Sequence, residues 1–270
     1  MAEIKFPSEI VDLPSGGKLY PKESPLHSGK IEMRYMSARD EDILTNQNYI
    51  ERGVVVDKLL QSLIVDKDID YGQLLIGDKN ALLIAARILG YGKDYEFEYE
   101  GKKEVVDLSK LEPKPLAPEF EAAKENLFSF TCPTTGAVLE FKLLTHADEQ
   151  AVEQEIKGLR KLSKEASPEL STRLKYMILS VNGETDRQAV RSFVDNMFLA
   201  RDSRAFRKFV EKIQPDIDIR FYPYGIYPKP TCMSFSIPIT RFFTRQFMYS
   251  VVCQTQWMKK SVQLFSIWEV

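Results

Sequence analysis

Residues able to do chemistry are few in this chain, and their spacing gives catalysis little to work with. Only two histidines occur, His27 in a Pro/Ser/Gly loop and His146 in the first turn of an expected helix. Both read as loop or surface side chains. The three cysteines, Cys132, Cys232 and Cys253, are far apart and odd in number, which argues against a secreted disulfide framework and for a reducing cytoplasm. No Walker loop, dinucleotide-binding glycine fingerprint or nucleophile elbow is present. Ser15-Gly16-Gly17 comes closest to a glycine-rich loop, but no helix follows it, so it reads as a turn. The carboxylates Asp40, Glu41, Asp42 and Glu149, Glu153, Glu155 fall where charged helix faces explain them without an acid–base pair. The expectation is a protein with no catalytic residues, no metal ligands and no cofactor.

One basic series needs weighing. Arg187, Arg191, Arg201, Arg204, Arg207 and Lys208 lie close in sequence, but Asp186, Asp195, Asp202 and Glu211 are interleaved with them. Phosphate binding wants cations on one surface with little opposing charge. A solvated face is therefore favoured, a dock for an acidic protein partner comes next, and a nucleic-acid contact last. The overall charge of −2 and a pI near 5.9 add no pull toward nucleic acid or an anionic membrane.

The elements that position these residues show an internal echo. Ile31-Glu32-Met33-Arg34-Tyr35-Met36 alternates like a strand and runs into Ser37-Ala38-Arg39-Asp40, a capping-box pattern. Leu139 to Leu144 does the same before Thr145-His146-Ala147-Asp148. Leu59-Leu60-Gln61-Ser62-Leu63 resembles Met177-Ile178-Leu179-Ser180-Val181. Residues from Asp78 to Gly101 align without a gap on Asp202 to Gly225, with Asp78 and Asp202 at expected helix N-caps. Extra helical sequence around Val152 to Ser171 accounts for the later copy's growing offset. The period is too long for a solenoid, so the pattern predicts an α+β fold built on a duplicated unit of strand, helices and β-hairpin. Chance likeness of two such units is the alternative.

The expected organisation is an N-terminal arm (1–30), a first repeat (31–112), a Pro-rich extended joint (113–126), a second repeat (127–240) and an aromatic C-terminal tail (241–270). Ala81 to Ala86 is apolar nearly all round, which suits an enclosed central helix. Its counterpart keeps Phe206, Phe209, Val210 and Ile213 as one apolar face and should lie nearer the surface. With 44% hydrophobic and 28% charged residues the composition is that of an ordinary globular protein. The opening Met1-Ala2-Glu3-Ile4-Lys5 does not read as a signal peptide. No run approaches the ~18 apolar residues that span a bilayer.

The first half carries an ordered series of short motifs. Leu13-Pro14-Ser15-Gly16-Gly17-Lys18-Leu19-Tyr20-Pro21 precedes Ser28-Gly29-Lys30-Ile31-Glu32-Met33, then Arg39 to Asn46, Asp57-Lys58-Leu59-Leu60, Gly77-Asp78-Lys79-Asn80-Ala81 and Ala85 to Gly92. Together they resemble the baseplate hub assembly family of T-even-type, contractile-tailed phages, and are similar in style to tail assembly chaperones. The resemblance is dense over about residues 10–108 and recurs weakly to Thr240. It implies a protein without an active site that helps build the baseplate hub, in the host cytoplasm, by contacts with other phage tail or hub proteins. A structural subunit retained in the virion, or a nucleic-acid-binding regulator using the basic face of the second repeat, are the alternatives.

The resemblance also implies Cys-x-x-Cys-Gly knuckles at two places, which could close a structural zinc site. Here those places read Tyr99-Glu100-Gly101 and Tyr222-Pro223-Tyr224-Gly225, with no cysteine at either. Zinc is therefore not expected, and Glu100-Gly101-Lys102 should turn a short hairpin. The family pattern should end near Thr240, yet 30 residues follow from Arg241. Phe242, Phe243, Phe247, Trp257 and Trp268 are the candidate partner-binding residues there, with packing of the tail on its own domain as the other possibility.

Overall fold

A computed structural model describes residues 6–99, 102–123, 125–162, 168–221 and 235–236 of the 270-residue chain. It has the expected α+β architecture, helices packed on small antiparallel sheets.

In the first half, β1 (Ser8–Asp12) pairs antiparallel with β2 (Lys30–Arg34) in the register Ser8↔Arg34 to Asp12↔Lys30. The turn between them takes positive φ at Gly16, a conformation that L side chains adopt only under strain. Helices α1 (Ala38–Thr45), α2 (Gln47–Arg52) and α3 (Val55–Leu63) follow. Then come α4 (Ile76–Tyr91) and a hairpin of β3 (Asp94–Tyr99) and β4 (Lys102–Asp107). The capping box read from sequence is formed. Asp40 Oδ2 accepts from the Ser37 amide at 2.9 Å and from its hydroxyl at 2.6 Å.

The second half opens with α5 (Pro118–Ala122), whose Phe120 is fully buried and packs against Phe128. A three-stranded sheet orders β5 (Phe128–Thr131), β6 (Val138–Phe141) and β7 (Ile178–Val181). Between β6 and β7 lie α6 (His146–Leu162) and α7 (Glu169–Met177). After β7 come α8 (Arg187–Asn196), α9 (Ala200–Ile213) and the short pair β8 (Arg220–Phe221) and β9 (Phe235–Ser236). A single hydrophobic cluster runs through both halves, from Leu13 and Ile31 to Phe206 and Ile213.

Equivalent contacts recur in the two halves. Arg34 holds Asp40 with two hydrogen bonds of 2.7 and 2.8 Å, and Lys142 holds Asp148 at 2.8 Å. Asp78 on α4 accepts from the Ser15 amide and hydroxyl in the β1–β2 turn. Asp202 on α9 accepts from the Thr135 amide and hydroxyl, and from the Thr134 amide, in the β5–β6 turn. Gly16 and Gly136, each following its hydroxyl residue, both have positive φ.

Two details of the sequence reading are corrected. Asp78 and Asp202 are not N-caps: Leu75 and Leu199 occupy those positions without a side-chain bond, and the aspartates sit three residues on. A carboxylate in the first turn still suits the helix dipole, while its oxygens stay free to reach another loop. The apolar match at the end of α3 also moves by one helical turn. Met33 bridges to Ile64 as Phe141 pairs with Ile178, so Ile64 and Ile178 are equivalent. Apolar residues repeating every three or four positions make such a slip nearly invisible in sequence.

Burial of the paired helices differs as expected. On α4, Ala81, Leu82, Leu83, Ile84, Ala86 and Leu89 are all buried, along with Asp78 and Arg87. On α9 the buried side is Phe206, Val210 and Ile213, with Asp202 and Ser203, while Arg201, Arg204, Lys208 and Glu211 are exposed. The Pro-rich joint is extended only over residues 113–117. Against the expectation of an extended segment to 126, Pro118 at a first helical position starts α5, and the beginning of the joint is pinned to the end of the second half. Pro113 bridges to Ile217, and the Lys114 amide donates to the Asp216 carbonyl at 2.8 Å.

Candidate functional site

The five aromatic residues expected to bind a partner, Phe242, Phe243, Phe247, Trp257 and Trp268, lie outside the described residues, as do Cys232, Cys253, Gly101 and Gly225. Cys132 is buried in the β5–β6 region, where burial pushes its thiol up from the ordinary value. Among the described residues no group of three or more His, Cys, Asp or Glu side chains could hold a metal ion. No helix among them is long and apolar enough to cross a membrane.

The densest polar cluster joins the two halves and contains His146. The expected surface position of this residue is wrong: only 4% of it is exposed. The start of α6 is clamped to the first half by the bridge Leu75↔Thr145 and by the His146 amide donating to the Leu74 carbonyl at 2.8 Å. Tyr71, from a short 3-10 turn, meets the imidazole edge-on at 4.7 Å. Lys79 of α4 lies 3.2 Å from His146 Nδ1 and 2.6 Å from Asp57 Oδ1. Tyr71 donates to the same Asp57 oxygen at 3.0 Å. Asp57 Oδ2 is 3.6 Å from His146 Nε2, and the Gln150 side-chain amide is 2.9 Å away. The covering residues come from elements far away in sequence, so the helix pattern around His146 carried no sign of its burial.

The chemistry of this cluster follows from its donors. A lysine ammonium can only donate, and so can the Gln150 amide nitrogen that faces Nε2; a neutral imidazole accepts at one nitrogen, so one of the two contacts is a hydrogen bond in a given tautomer. Burial first, and the Lys79 charge second, hold the His146 pKa below its ordinary value near 6.5, against the pull of Asp57 and Glu149. Both ring nitrogens thus have polar neighbours within the fold, and the cluster ties α3, α4 and α6 together. The unfolded chain takes up a proton here before the folded chain does, so stability drops as the pH falls from about 6.5 toward the depressed folded value. Urea midpoints measured between pH 8 and pH 5.5 are expected to show this loss. His146→Gln, neutral throughout, should have a flatter profile over that range; parallel profiles would mean that His146 is not the titrating group.

A second polar centre is Asp78, which is fully buried and faces no cation among its bonded partners. Besides Ser15 it accepts from the Tyr20 hydroxyl, which itself accepts from the Leu75 amide at 2.9 Å. Burial pushes its carboxyl above the ordinary value, against the hydrogen bonds from Ser15 and Tyr20. Asp216, bound by Asn80 at 3.0 Å, is raised chiefly by burial as well. Asp40 behaves oppositely. Burial raises it, but Arg34, Ser37 and Ser62 outweigh that and hold it well below the carboxylate range.

The basic series is split by the fold. Arg191 is bound to both oxygens of Glu155, at 3.1 and 2.8 Å, and Arg187 lies over the Tyr176 ring at 5.5 Å. Arg201, Arg204 and Lys208 remain on the outer side of α9. Comparison with family models, curated proteins and solved structures returned no match to this chain.

Proposed function

We propose that this chain is an assembly protein of the baseplate hub of contractile-tailed phages, working in the host cytoplasm through protein–protein contacts and without catalysis. The observation that carries the proposal is the ordered motif series of residues 13–92, which resembles that assembly family. The fold gives those motifs structural work. Leu13 to Tyr20 forms the turn held by Asp78, Arg39 to Asn46 lies on the capped helix α1, and Gly77 to Ala81 opens the enclosed helix α4. Such contacts suit a scaffold that presents surfaces.

The tail provides the first surface to test. Phe242, Phe243, Phe247, Trp257 and Trp268 would anchor a tail or hub protein, since aromatic side chains are enriched in interface cores. Deleting residues 241–270 is expected to abolish co-purification with hub components from infected cells while leaving the thermal unfolding transition in place. A truncated chain that aggregates or loses its transition would place the tail in the core instead. Mass spectrometry of purified virions addresses the alternative of a retained structural subunit. An assembly factor should be absent, whereas stoichiometric recovery would overturn the assembly role.

A further inference from the structure

A second surface is marked by cations that form no ion pair among the described residues. On α9, Arg201, Arg204 and Lys208 are spaced three and four residues apart, share one side of the helix and are all exposed. The positive charges four apart, Arg204 and Lys208, repel each other in the free chain. Neighbouring cations are paired within the same half: Lys175 with Asp195 at 2.7 Å, Arg191 with Glu155, and Lys212 with Glu119 at 2.7 Å. The two acids of α9 differ: Glu211, three residues after Lys208 on the same side, stands at the far end of the ridge, and Asp202 is withdrawn from it. Asp202 is turned inward onto Thr134 and Thr135, which leaves Glu211 as the one exposed carboxylate of the helix.

Exposed apolar residues come just before these charges in the chain. The chain entering α9 presents Met197 at 63% and Leu199 at 46% exposure, with Arg201 two residues further on. A flexible methionine adapts to varied partners, and apolar anchors rimmed by cations match the anatomy of protein interfaces. A nucleic-acid backbone would use the cations and leave Met197 and Leu199 in water. An acidic protein segment with an apolar side chain would use both.

We infer that the α8–α9 turn and the outer side of α9 form a docking surface for an acidic protein segment carrying apolar anchors. Its carboxylates would meet Arg201, Arg204 and Lys208, and its apolar side chain would cover Met197 and Leu199. This surface stands on its own charge pattern, independent of the aromatic tail and of the phage reading.

The test uses the full chain and fluorescence anisotropy with three probes: a Glu/Asp-rich peptide containing leucines, its Gln/Asn counterpart, and a single-stranded oligonucleotide of equal charge. The acidic peptide is expected to bind, more weakly at high salt, and at least about tenfold more tightly than the neutral peptide. R201E/R204E/K208E should weaken it about tenfold or more, and M197S/L199S by a smaller factor. R201Q/R204Q/K208Q serves if the reversal fails to fold. Absence of peptide binding, unchanged binding by the charge variants, or an oligonucleotide bound as tightly as the peptide would each overturn the proposal. Because no hub component enters this assay, its failure leaves the co-purification result untouched, and the converse holds too.

Discussion

Asp78→Ala is expected to destabilise the protein by about 3–5 kcal/mol, a fall in melting temperature of roughly 6–20 °C. Asp78 is fully buried and receives the Ser15 amide at 2.9 Å, the Ser15 hydroxyl at 2.7 Å and the Tyr20 hydroxyl at 2.5 Å. Alanine leaves these donors in a dry site, where each orphaned group costs about 1–3 kcal/mol. Asp78→Asn keeps one acceptor oxygen for the Ser15 amide and should lose distinctly less. Since the folded carboxyl has a raised pKa, its stabilising contribution is full below the unfolded value near 3.8 and declines as pH rises through the folded value. The alanine penalty should therefore grow toward acid pH. The counterpart Asp202→Ala should destabilise less, because Asp202 is bound by the partly exposed turn at Thr134 and Thr135, where water can replace it. Equal losses at the two sites, read from urea unfolding, would contradict this ordering.

Gly77→Ala is expected to cost about 2–4 kcal/mol, although alanine favours helix over glycine by nearly 1 kcal/mol. A Cβ at Gly77 would lie 1.7 Å from the Pro215 carbonyl oxygen and 2.6 Å from its carbon. These are backbone atoms, so relief requires α4 and the 215–216 segment to separate. That movement would strain the Asn80–Asp216 hydrogen bond and the Pro113↔Ile217 bridge. Gly158→Ala is the internal control. Nothing lies within 4 Å of its Cβ position on α6, so propensity alone should act and stabilise by about 0.5–1 kcal/mol. Paired thermal melts of the two variants test the close approach directly, and a Gly77→Ala chain as stable as the parent would refute it.

Local signals in the sequence proved readable wherever the physics was local. The Ser37–Asp40 and Thr145–Asp148 boxes bring their bonding partners within four residues, and both form. Apolar residues around most of α4 announced an enclosed helix, and the β3–β4 hairpin follows from its own alternation. The duplicated plan reappears in contacts that no alignment of short motifs displays, such as Ser15 with Asp78 and Thr135 with Asp202. What could not be read depends on separated segments. His146 is covered by Tyr71, Lys79 and Asp57, all from the other half, and the joint is held by residues 216–218. The outward ridge of α9 was visible as a basic series, but only pairing geometry separated Arg191 from Arg201, Arg204 and Lys208.

The close fit of Gly77 against Pro215 bears on the order in which the chain can fold as it is made. Asn80 must wait for Asp216, 136 residues later, before the first turn of α4 is closed over. At 5–20 residues per second, that delay is roughly 7–27 s of synthesis. Throughout this interval the first turn of α4 lacks that contact, and Gly77 and Asn80 face water until residues 215–216 have been made.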